Sequence, residues 1–200
     1  MWCKSLRIGV LSLQGAVAEH IRMIDNVGAI AIPIKNVEQL NDIDGLIIPG
    51  GESTTIGKLM HNYGFVEAIK HFSDLQKPIF GTCAGLIVLA SEIKGQQETY
   101  LALMNMSVVR NAYGRQRESF EVELDLKGWR QAIKAVFIRA PLIEQVGPEV
   151  EILATHKEGI VAVRQQHLLA TSFHPELTED QSMHEYFIGM VKEYRSNLGK

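Results

Sequence analysis

The sequence predicts an α/β fold in which a mostly parallel central sheet is covered by helices on both faces, with additional antiparallel strands in the C-terminal half. Short apolar segments alternate with segments of helical periodicity over residues 1–90, which is typical of βαβ units. From Leu103 onward, several strand-like runs follow one another with turns between them. The 200 residues are 46% hydrophobic, enough to bury one core, so we expect a single domain spanning residues 1–200.

The first half of the chain predicts strands that alternate with helices. Short apolar runs indicate buried strands, and apolar residues that recur with helical spacing indicate helices, the first of which ends at Gly28. The expected strands are residues 6–13, 29–34, 45–48 and 78–80, and the expected helices are residues 16–27, 55–63 and 65–72.

The second half predicts a series of strands and one terminal helix. Turns between closely spaced apolar runs favour antiparallel pairs. The terminal segment has apolar or aromatic residues at positions 183, 186, 187, 190 and 194, the spacing of a helix packed on the core. The expected strands are residues 104–110, 120–126, 136–139, 150–155, 160–165 and 168–173, and the expected helix is residues 182–197.

Charge and hydropathy exclude two classes of partner. The net charge is −3, and the densest basic stretch, Arg110, Arg115 and Arg117, is too sparse to follow a phosphate backbone, so we expect no nucleic-acid partner. The longest uncharged run lies between Lys77 and Glu92, which is shorter than the roughly 18 residues of a membrane span. The amino-terminal apolar run is interrupted by polar residues before it reaches the length of a signal peptide. We therefore expect no membrane association.

Cysteine content bears on the compartment and on reactivity. The chain has only Cys3 and Cys83, too few for a disulfide framework or a paired CxxC metal site. Together with the missing signal segment, this predicts a reducing cytoplasm. We expect neither a metal nor a cofactor. A lone internal cysteine in such a compartment is a candidate nucleophile.

Residues 78–86, PIFGTCAGL, contain a G-x-nucleophile-x-G pattern between an apolar strand and an apolar helix. In a nucleophile elbow the reactive residue lies on a tight strand-to-helix turn, and the flanking glycines, here Gly81 and Gly85, allow close approach of the backbone. The amino terminus of the following helix stabilises a thiolate. The same pattern also fits a small cysteine that only packs in the core, so Cys83 requires further evidence.

The candidate partners of Cys83 are in the segment His174-Pro175-Glu176, which follows a strand-like run. Pro175 favours an extended His174, and an extended i, i+2 pair projects to one side. His174 can then carry protons while Glu176 fixes its tautomer. An isolated histidine is more often a surface or core residue than a catalyst. Histidines without a partner motif stay unassigned: His20, His61, His71, His156, His167 and His184.

The segment PGGES, residues 49–53, follows an expected strand and places Gly50 and Gly51 in a turn whose N–H groups can face an oxyanion. By itself it is also an ordinary Pro-Gly turn. The overlapping GESTTIGK superficially resembles a phosphate-binding P-loop. However, five residues separate Gly51 from Gly57 where that motif has four, and Leu59 replaces its Ser or Thr. We therefore reject nucleotide binding.

Together, PGGES, GTCAG and HPE resemble the class I glutamine amidotransferases, whose catalytic set is cysteine, histidine and glutamate. Further stretches resemble, more narrowly, the glutaminase subunits of two-component pyridoxal 5'-phosphate synthases. They are GVLSLQGAVAEH (9–20), DGLIIPGGESTT (44–55), RNAYGRQ (110–116), FIRAP (137–141) and SFHPELTED (172–180), so the resemblance covers nearly the whole chain. It implies a flavodoxin-like three-layer sandwich.

The resemblance also implies a role for individual residues. The triad would be Cys83, His174 and Glu176, and the oxyanion would be held by N–H groups of Gly51 and Ala84. Contact with the partner would be made through Gln14 and Gly15. The glutamine site would be formed by Gly51, Glu52, Ser53, Arg110, Ile138 and Arg139.

The activity implied by the resemblance is hydrolysis of L-glutamine to L-glutamate and ammonia through a γ-glutamyl thioester. The ammonia would pass to a barrel-shaped synthase subunit, itself part of a multimeric ring, that makes pyridoxal 5'-phosphate. One alternative is the glutaminase subunit for imidazole glycerol phosphate synthesis in histidine biosynthesis, against which RNAYGRQ and FIRAP argue. Another is a catalytically silent scaffold that senses glutamine, against which the intact triad argues.

Overall fold

A ten-stranded mixed sheet runs through the computed structural model of the chain, which describes residues 5–110, 119–157 and 159–198. A second sheet of two strands lies beside it. Cys3, Arg115, Arg117 and residues 111–116 of the RNAYGRQ motif lie outside the described residues.

Strands and helices alternate in the first half of the chain, and strands followed by one terminal helix make up the second half, as predicted. The strands are β1 Arg7–Leu11, β2 Ile30–Ile34, β3 Gly45–Ile48, β4 Ile79–Thr82, β5 Ala90–Ile93, β6 Met104–Val109, β7 Phe120–Leu124, β8 Ile133–Phe137, β9 Leu142–Val146, β10 Glu151–His156, β11 Gly159–Gln165 and β12 Leu168–Thr171. The α-helices are α1 Val17–Asn26, α2 Ser53–Asn62, α3 Phe65–Asp74, α4 Ala84–Leu89 and α5 Ser182–Leu198, and Val37–Asp42 and Pro175–Leu177 form short 3₁₀ helices. Among the described residues, no helix combines the length and hydropathy needed to cross a bilayer.

The central sheet has a parallel half and a mostly antiparallel half. The parallel half has the order β2-β1-β3-β4-β12, with every neighbouring pair parallel. With β12 in the fifth place, this is the 2-1-3-4-5 order of flavodoxin-like folds. β11, β9 and β6 continue the sheet through antiparallel pairs, β5 pairs parallel with β6, and β10 pairs antiparallel with β11. The predicted fold class is therefore confirmed.

Alternate side chains of the parallel strands enter hydrophobic cores on opposite faces of the sheet, which gives three layers. In β3, Leu46 and Ile48 lie in the core that contains buried residues of α2, α3 and α4. Ile47 lies in the other core, which contains buried residues of α1 and α5. All residues of β3, β4 and β12 are buried, which explains why these strands are continuous apolar runs in the sequence.

Some elements differ from the prediction. β5 and β9 were not predicted, because exposed polar residues such as Glu92 and Glu144 interrupt their apolar runs. β8 begins at Ile133, before the predicted start at Val136, because it pairs with β7 over its whole length. Neither 3₁₀ helix was predicted.

Candidate active site

Four loops converge at the carboxyl edge of the parallel strands. The loop after β1 contains Gln14 and Gly15, and the turn after β3 contains Gly50 and Gly51. Cys83 follows β4 directly, and His174 lies shortly after β12. Ligands of open parallel sheets bind at this edge, so the topology brings together residues from four distant parts of the chain.

Cys83 occupies a strained strand-to-helix turn. Its backbone has φ 49° and ψ −101°, a conformation that residues with a side chain rarely adopt, and it immediately precedes α4. Its N–H donates to the Thr171 carbonyl at 2.8 Å, which ties the turn to β12. A side chain at Gly85 would collide with the Ile48 carbonyl, and one at Gly81 would lie 2.6 Å from the Gly85 carbonyl. The geometry is that of a nucleophile elbow.

His174 and Glu176 lie next to this turn. The His174 N–H donates to the Val136 carbonyl at 2.8 Å, and its Nδ1 is 2.7 Å from Oε1 of the fully buried Glu176. The expectation of an extended His174-Pro175-Glu176 segment was wrong, because Pro175 and Glu176 begin a 3₁₀ helix. Proline favours the first position of a helix, where its missing N–H costs nothing. The turn curls the carboxylate back toward the Nδ1 side of the imidazole.

The histidine and the glutamate influence each other's charge. Burial lowers the pKa of His174, but hydrogen bonds to Cys83 and Glu176 and the charges of both groups outweigh it and raise this pKa to about 10. Burial acts to raise the pKa of Glu176, yet the charges of His20 and His174 and the hydrogen bond from His174 hold it below its ordinary value. Burial also lowers the pKa of His20, so the charge of His20 adds to this stabilisation only at low pH, and near pH 7 His174 is the cation beside the carboxylate.

The turn after β3 is held by the loop after β1. The Glu52 N–H donates to Oε1 of Gln14 at 2.8 Å, and the Ala16 N–H donates to the Gly50 carbonyl at 3.0 Å. Gly15 has φ +112°, and a side chain there would overlap the Gly50 carbonyl. One side-chain and one backbone hydrogen bond therefore join the loop to the turn beside Cys83.

A cavity of about 580 Å³ opens above Cys83. Its lining contains every residue that the sequence suggested for the glutamine site and the oxyanion hole, together with Cys83, His174 and Gly15. Those residues are Gly51, Glu52, Ser53, Ala84, Arg110, Ile138 and Arg139. Gln14 does not line the cavity, but its side chain accepts the hydrogen bond from the Glu52 N–H and so contacts the turn that does.

Glu52 and Arg110 form an ion pair in this cavity, with Nη2 of Arg110 3.1 Å from Oε1 of Glu52. The same carboxylate accepts hydrogen bonds from the N–H groups of Thr54 and Thr55 and so caps α2. Hydrogen bonds from Thr54, above all, lower the pKa of Glu52 to about 2, although burial acts in the opposite direction. The cavity therefore offers a fixed negative group beside the guanidinium of Arg110.

Sequence reasoning missed several residues at or behind the site. Ala16, Ile87 and Ser119 also line the cavity but belong to no catalytic pattern. His20, Thr82 and His184, which were not assigned, form a buried polar chain that ends at Glu176. The only sequence signal for His20 was its place in GVLSLQGAVAEH. Within the described residues, no group of three or more His, Cys, Asp or Glu side chains is arranged to hold a metal ion.

Comparison with known proteins gives a consistent assignment. The model of the SNO glutamine amidotransferase family matches residues 10–193. Pyridoxal 5'-phosphate synthase subunit PdxT of Niallia circulans is 62% identical over 190 residues, covering 95% of this chain and 100% of that protein. The PdxT subunit of Brevibacillus brevis is 59% identical over 191 residues, covering 96% of this chain and 100% of that protein.

A solved structure described as a glutamine amidotransferase superposes with a TM-score of 0.88 at 44% identity, covering 92% of this chain and 98% of that one. The matched region includes both the Cys83 elbow and the His174-Pro175-Glu176 segment. The chain therefore belongs to the SNO glutamine amidotransferase family.

Proposed function

We propose that the chain hydrolyses L-glutamine to L-glutamate and ammonia in the cytoplasm, with Cys83 as nucleophile, His174 as general acid and base, and Glu176 as the orienting group. The ammonia is delivered to a partner synthase subunit that makes pyridoxal 5'-phosphate. The observation that carries this proposal is the Cys83–His174–Glu176 array at the floor of a cavity that also holds one carboxylate and two guanidinium groups.

In the first half-reaction, Sγ of Cys83 attacks the carboxamide carbon of glutamine, and the electron pair of the C=O bond moves to the oxygen. The N–H groups of Gly51 and Ala84 hold this oxyanion, because Ala84 is the first residue of α4 and its N–H has no intrahelical partner. The C–N bond then breaks as His174 gives its Nε2 proton to the departing nitrogen. The products are ammonia and the γ-glutamyl thioester.

In the second half-reaction, water attacks the thioester carbon while Nε2 of His174 accepts a proton from it. The C–S bond breaks, glutamate leaves, and the Cys83 thiolate and the His174 imidazolium are restored. Glu176 stabilises the imidazolium and keeps its Nδ1 protonated, since the 2.7 Å contact pairs that N–H with a carboxylate oxygen.

The cavity has charged groups that match both the α-carboxylate and the α-ammonium group of a free amino acid. We propose that Arg110 and Arg139 hold the α-carboxylate of glutamine, because guanidinium groups pair well with carboxylates. Glu52, which remains ionised well below neutral pH, is suited to the α-ammonium group. Backbone groups of Gly51, Ser53 and Ile138 complete the glutamine site.

Delivery of ammonia requires a second protein. Ammonia released into water is largely protonated and loses its nucleophilicity, so the acceptor enzyme has to cover the cavity. The relatives from Niallia circulans and Brevibacillus brevis are named as subunits of pyridoxal 5'-phosphate synthase, which supports that acceptor. We propose a barrel-shaped partner in a multimeric ring, which contacts the loop at Gln14 and Gly15.

Ammonia release from glutamine, measured with and without the partner synthase, tests the proposal. We expect activity that rises when the pyridoxal 5'-phosphate synthase subunit is added and does not rise with an imidazole glycerol phosphate synthase subunit. Cys83→Ala is expected to abolish turnover in both conditions. Substantial activity in Cys83→Ala would refute the nucleophile, and an inactive wild-type complex would favour a scaffold role.

A further inference from the structure

A chain of buried polar side chains extends behind the triad, on the side away from the cavity. His20 of α1, Thr82 of β4 and Glu176 are fully inaccessible to solvent, and His184 of α5 is 1% exposed. Buried polar groups are costly unless they are paired, so the contacts within this cluster determine whether its burial is tolerated.

His20 contacts all three of its buried neighbours. Its Nε2 lies 3.1 Å from Oγ1 of Thr82 and 3.5 Å from Oε2 of Glu176, and its Nδ1 lies 2.9 Å from Nε2 of His184. Within the described part of the chain, Oε2 of Glu176 and Nδ1 of His184 have no hydrogen-bond partner, and the 3.5 Å approach of His20 to Glu176 is a close polar contact. His20 therefore places a ring nitrogen 3.5 Å from the carboxylate oxygen that His174 does not use.

The contacts determine where the ring protons lie. Burial lowers the pKa of both His20 and His184, the latter to about 3, so each ring carries one proton near pH 7. A proton on Nε2 of His184 pairs with Nδ1 of His20, whereas a proton on Nδ1 of His184 would be a buried donor without a partner. Nδ1 of His20 is then an acceptor, and its Nε2–H points toward Thr82 and Glu176.

The same histidine is linked to the oxyanion turn. Oγ1 of Thr82 accepts a hydrogen bond from the Gly50 N–H at 3.1 Å, directly before Gly51. One N–H of His20 therefore faces both the orienting carboxylate of the triad and the hydroxyl group that fixes the turn after β3.

We infer that His20 is a positioning residue for the glutaminase reaction, an inference that rests on the function proposed above. Its Nε2–H attracts the second oxygen of Glu176 across the 3.5 Å contact so that the first oxygen stays directed at His174, and through Thr82 it steadies the Gly50–Gly51 turn. His184 fixes the tautomer of His20 that makes this possible.

Two substitutions separate this role from simple packing. In His20→Gln the amide group reaches the place of Nε2 and can still donate to Glu176 and Thr82. In His20→Asn the amide group reaches only the place of Nδ1, and the contact with Glu176 is lost. We expect His20→Asn to lower kcat by about 10- to 100-fold with little change in KM, and His20→Gln to retain most of the wild-type kcat.

The pH profile gives a readout that a packing defect does not move. A misdirected Glu176 stabilises the His174 imidazolium less, so the alkaline limb of kcat/KM shifts to lower pH in His20→Asn and stays in place in His20→Gln. The titratable groups that face His20 are Glu176, His174, His184 and Glu19, and none is altered by either substitution. In proton NMR spectra, the far-downfield signal of the His174 Nδ1–H is expected to be weaker in His20→Asn than in the wild type at the same pH.

A matched control is His167→Asn. Nε2 of this partly buried histidine forms a 2.8 Å hydrogen bond with Oγ of Ser73. The residue directly precedes β12, so it lies at the edge of the sheet opposite to the site. Its variant is expected to keep the wild-type kcat and pH profile. Thermal unfolding of all variants shows whether each one folds.

Two results would overturn the inference. One is a folded His20→Asn with the wild-type kcat and pH profile, and the other is a His20→Gln that is impaired as strongly as His20→Asn. If the wild-type complex shows no glutaminase activity, the proposed function fails. The pH dependence of Cys83 alkylation by iodoacetamide in a Cys3→Ser background, compared between the wild type and His20→Asn, still decides whether His20 orients the triad.

Discussion

Replacing Glu176 by glutamine is the sharpest test of the triad, because the substitution keeps the size of the side chain and removes one charge. Glu176 offers one oxygen to Nδ1 of His174 and turns the other toward Nε2 of His20. A glutamine that directs its oxygen at His174 places its NH₂ group against the N–H of His20. A glutamine in the other orientation forces His174 into the tautomer with a bare Nδ1, whose Nε2 cannot accept a proton.

The magnitude follows from the electrostatics of His174. A pKa that rises from 6.5 to about 10 corresponds to about 5 kcal/mol in favour of the imidazolium, and the hydrogen bonds and charges of Cys83 and Glu176 provide it. If Glu176 supplies about half, its loss costs about 2.5 kcal/mol, or about 70-fold in rate. The wrong tautomer adds to this, since asparagine in the place of the aspartate of a serine-protease triad lowers kcat by about 10⁴.

We therefore expect Glu176→Gln to lower kcat/KM of glutamine hydrolysis by at least about 70-fold in the presence of the partner synthase. Glu179→Gln is the matched control, because it makes the same change three residues away at an exposed carboxylate and should leave the rate unchanged. A Glu176→Gln protein that folds and retains a third or more of the wild-type kcat/KM would refute the reasoning.

Three further predictions concern stability and the cavity. Cys83→Gly is expected to have an unfolding free energy about 1 kcal/mol higher than Cys83→Ala in chemical denaturation, because only glycine relieves φ 49°; equal values would argue against strain at the elbow. Glu52→Ala removes the cap of α2 and should lower the unfolding free energy by about 1 kcal/mol while raising KM for glutamine; an unchanged KM would exclude Glu52 from the substrate site. Because the pKa of His174 in the folded chain lies above its ordinary value of 6.5, the stability that it contributes is fully present below about pH 6.5 and is lost as the pH rises through about 10; the difference in unfolding free energy between the wild type and His174→Gln should shrink in that window, and a difference that grows would contradict the sign.

The parallel half of the fold could be predicted from the sequence because its strands are buried on both faces. β3 and β4 are short apolar runs that end at glycine turns, and helical segments separate them from their neighbours. β5 and β9 could not be predicted in this way, since each has exposed residues between buried ones and depends on pairing with β6 for its stability. Such strands are determined by tertiary contacts rather than by local pattern.

The candidate site could be predicted only where a local motif carries it. The Cys83 elbow and the His174-Pro175-Glu176 segment each consist of adjacent residues, so the sequence shows directly which side chains each segment brings to the site. The 3₁₀ helix at Glu176 was missed because a proline favours both an extended preceding residue and the start of a helix, and local pattern does not decide between them. His20 and His184 meet through the packing of α1 and α5 on one face of the sheet, and no spacing between them signals this contact.

The two sides of the site differ in how they are held, and this bears on the requirement for a partner. The Cys83 side is fixed by buried elements, because its N–H is bound to β12 and Gly85 packs directly against the end of β3. The oxyanion side is held by a surface loop, through the contacts of Gln14 with the Glu52 N–H and of the Ala16 N–H with the Gly50 carbonyl. A protein that docks on Gln14 and Gly15, as proposed above, would therefore act on the proposed oxyanion turn and leave Cys83 in place. Partner-dependent glutaminase activity should accordingly appear as a change in kcat, with the alkylation rate of Cys83 nearly constant, because only the stabilisation of the transition state is altered.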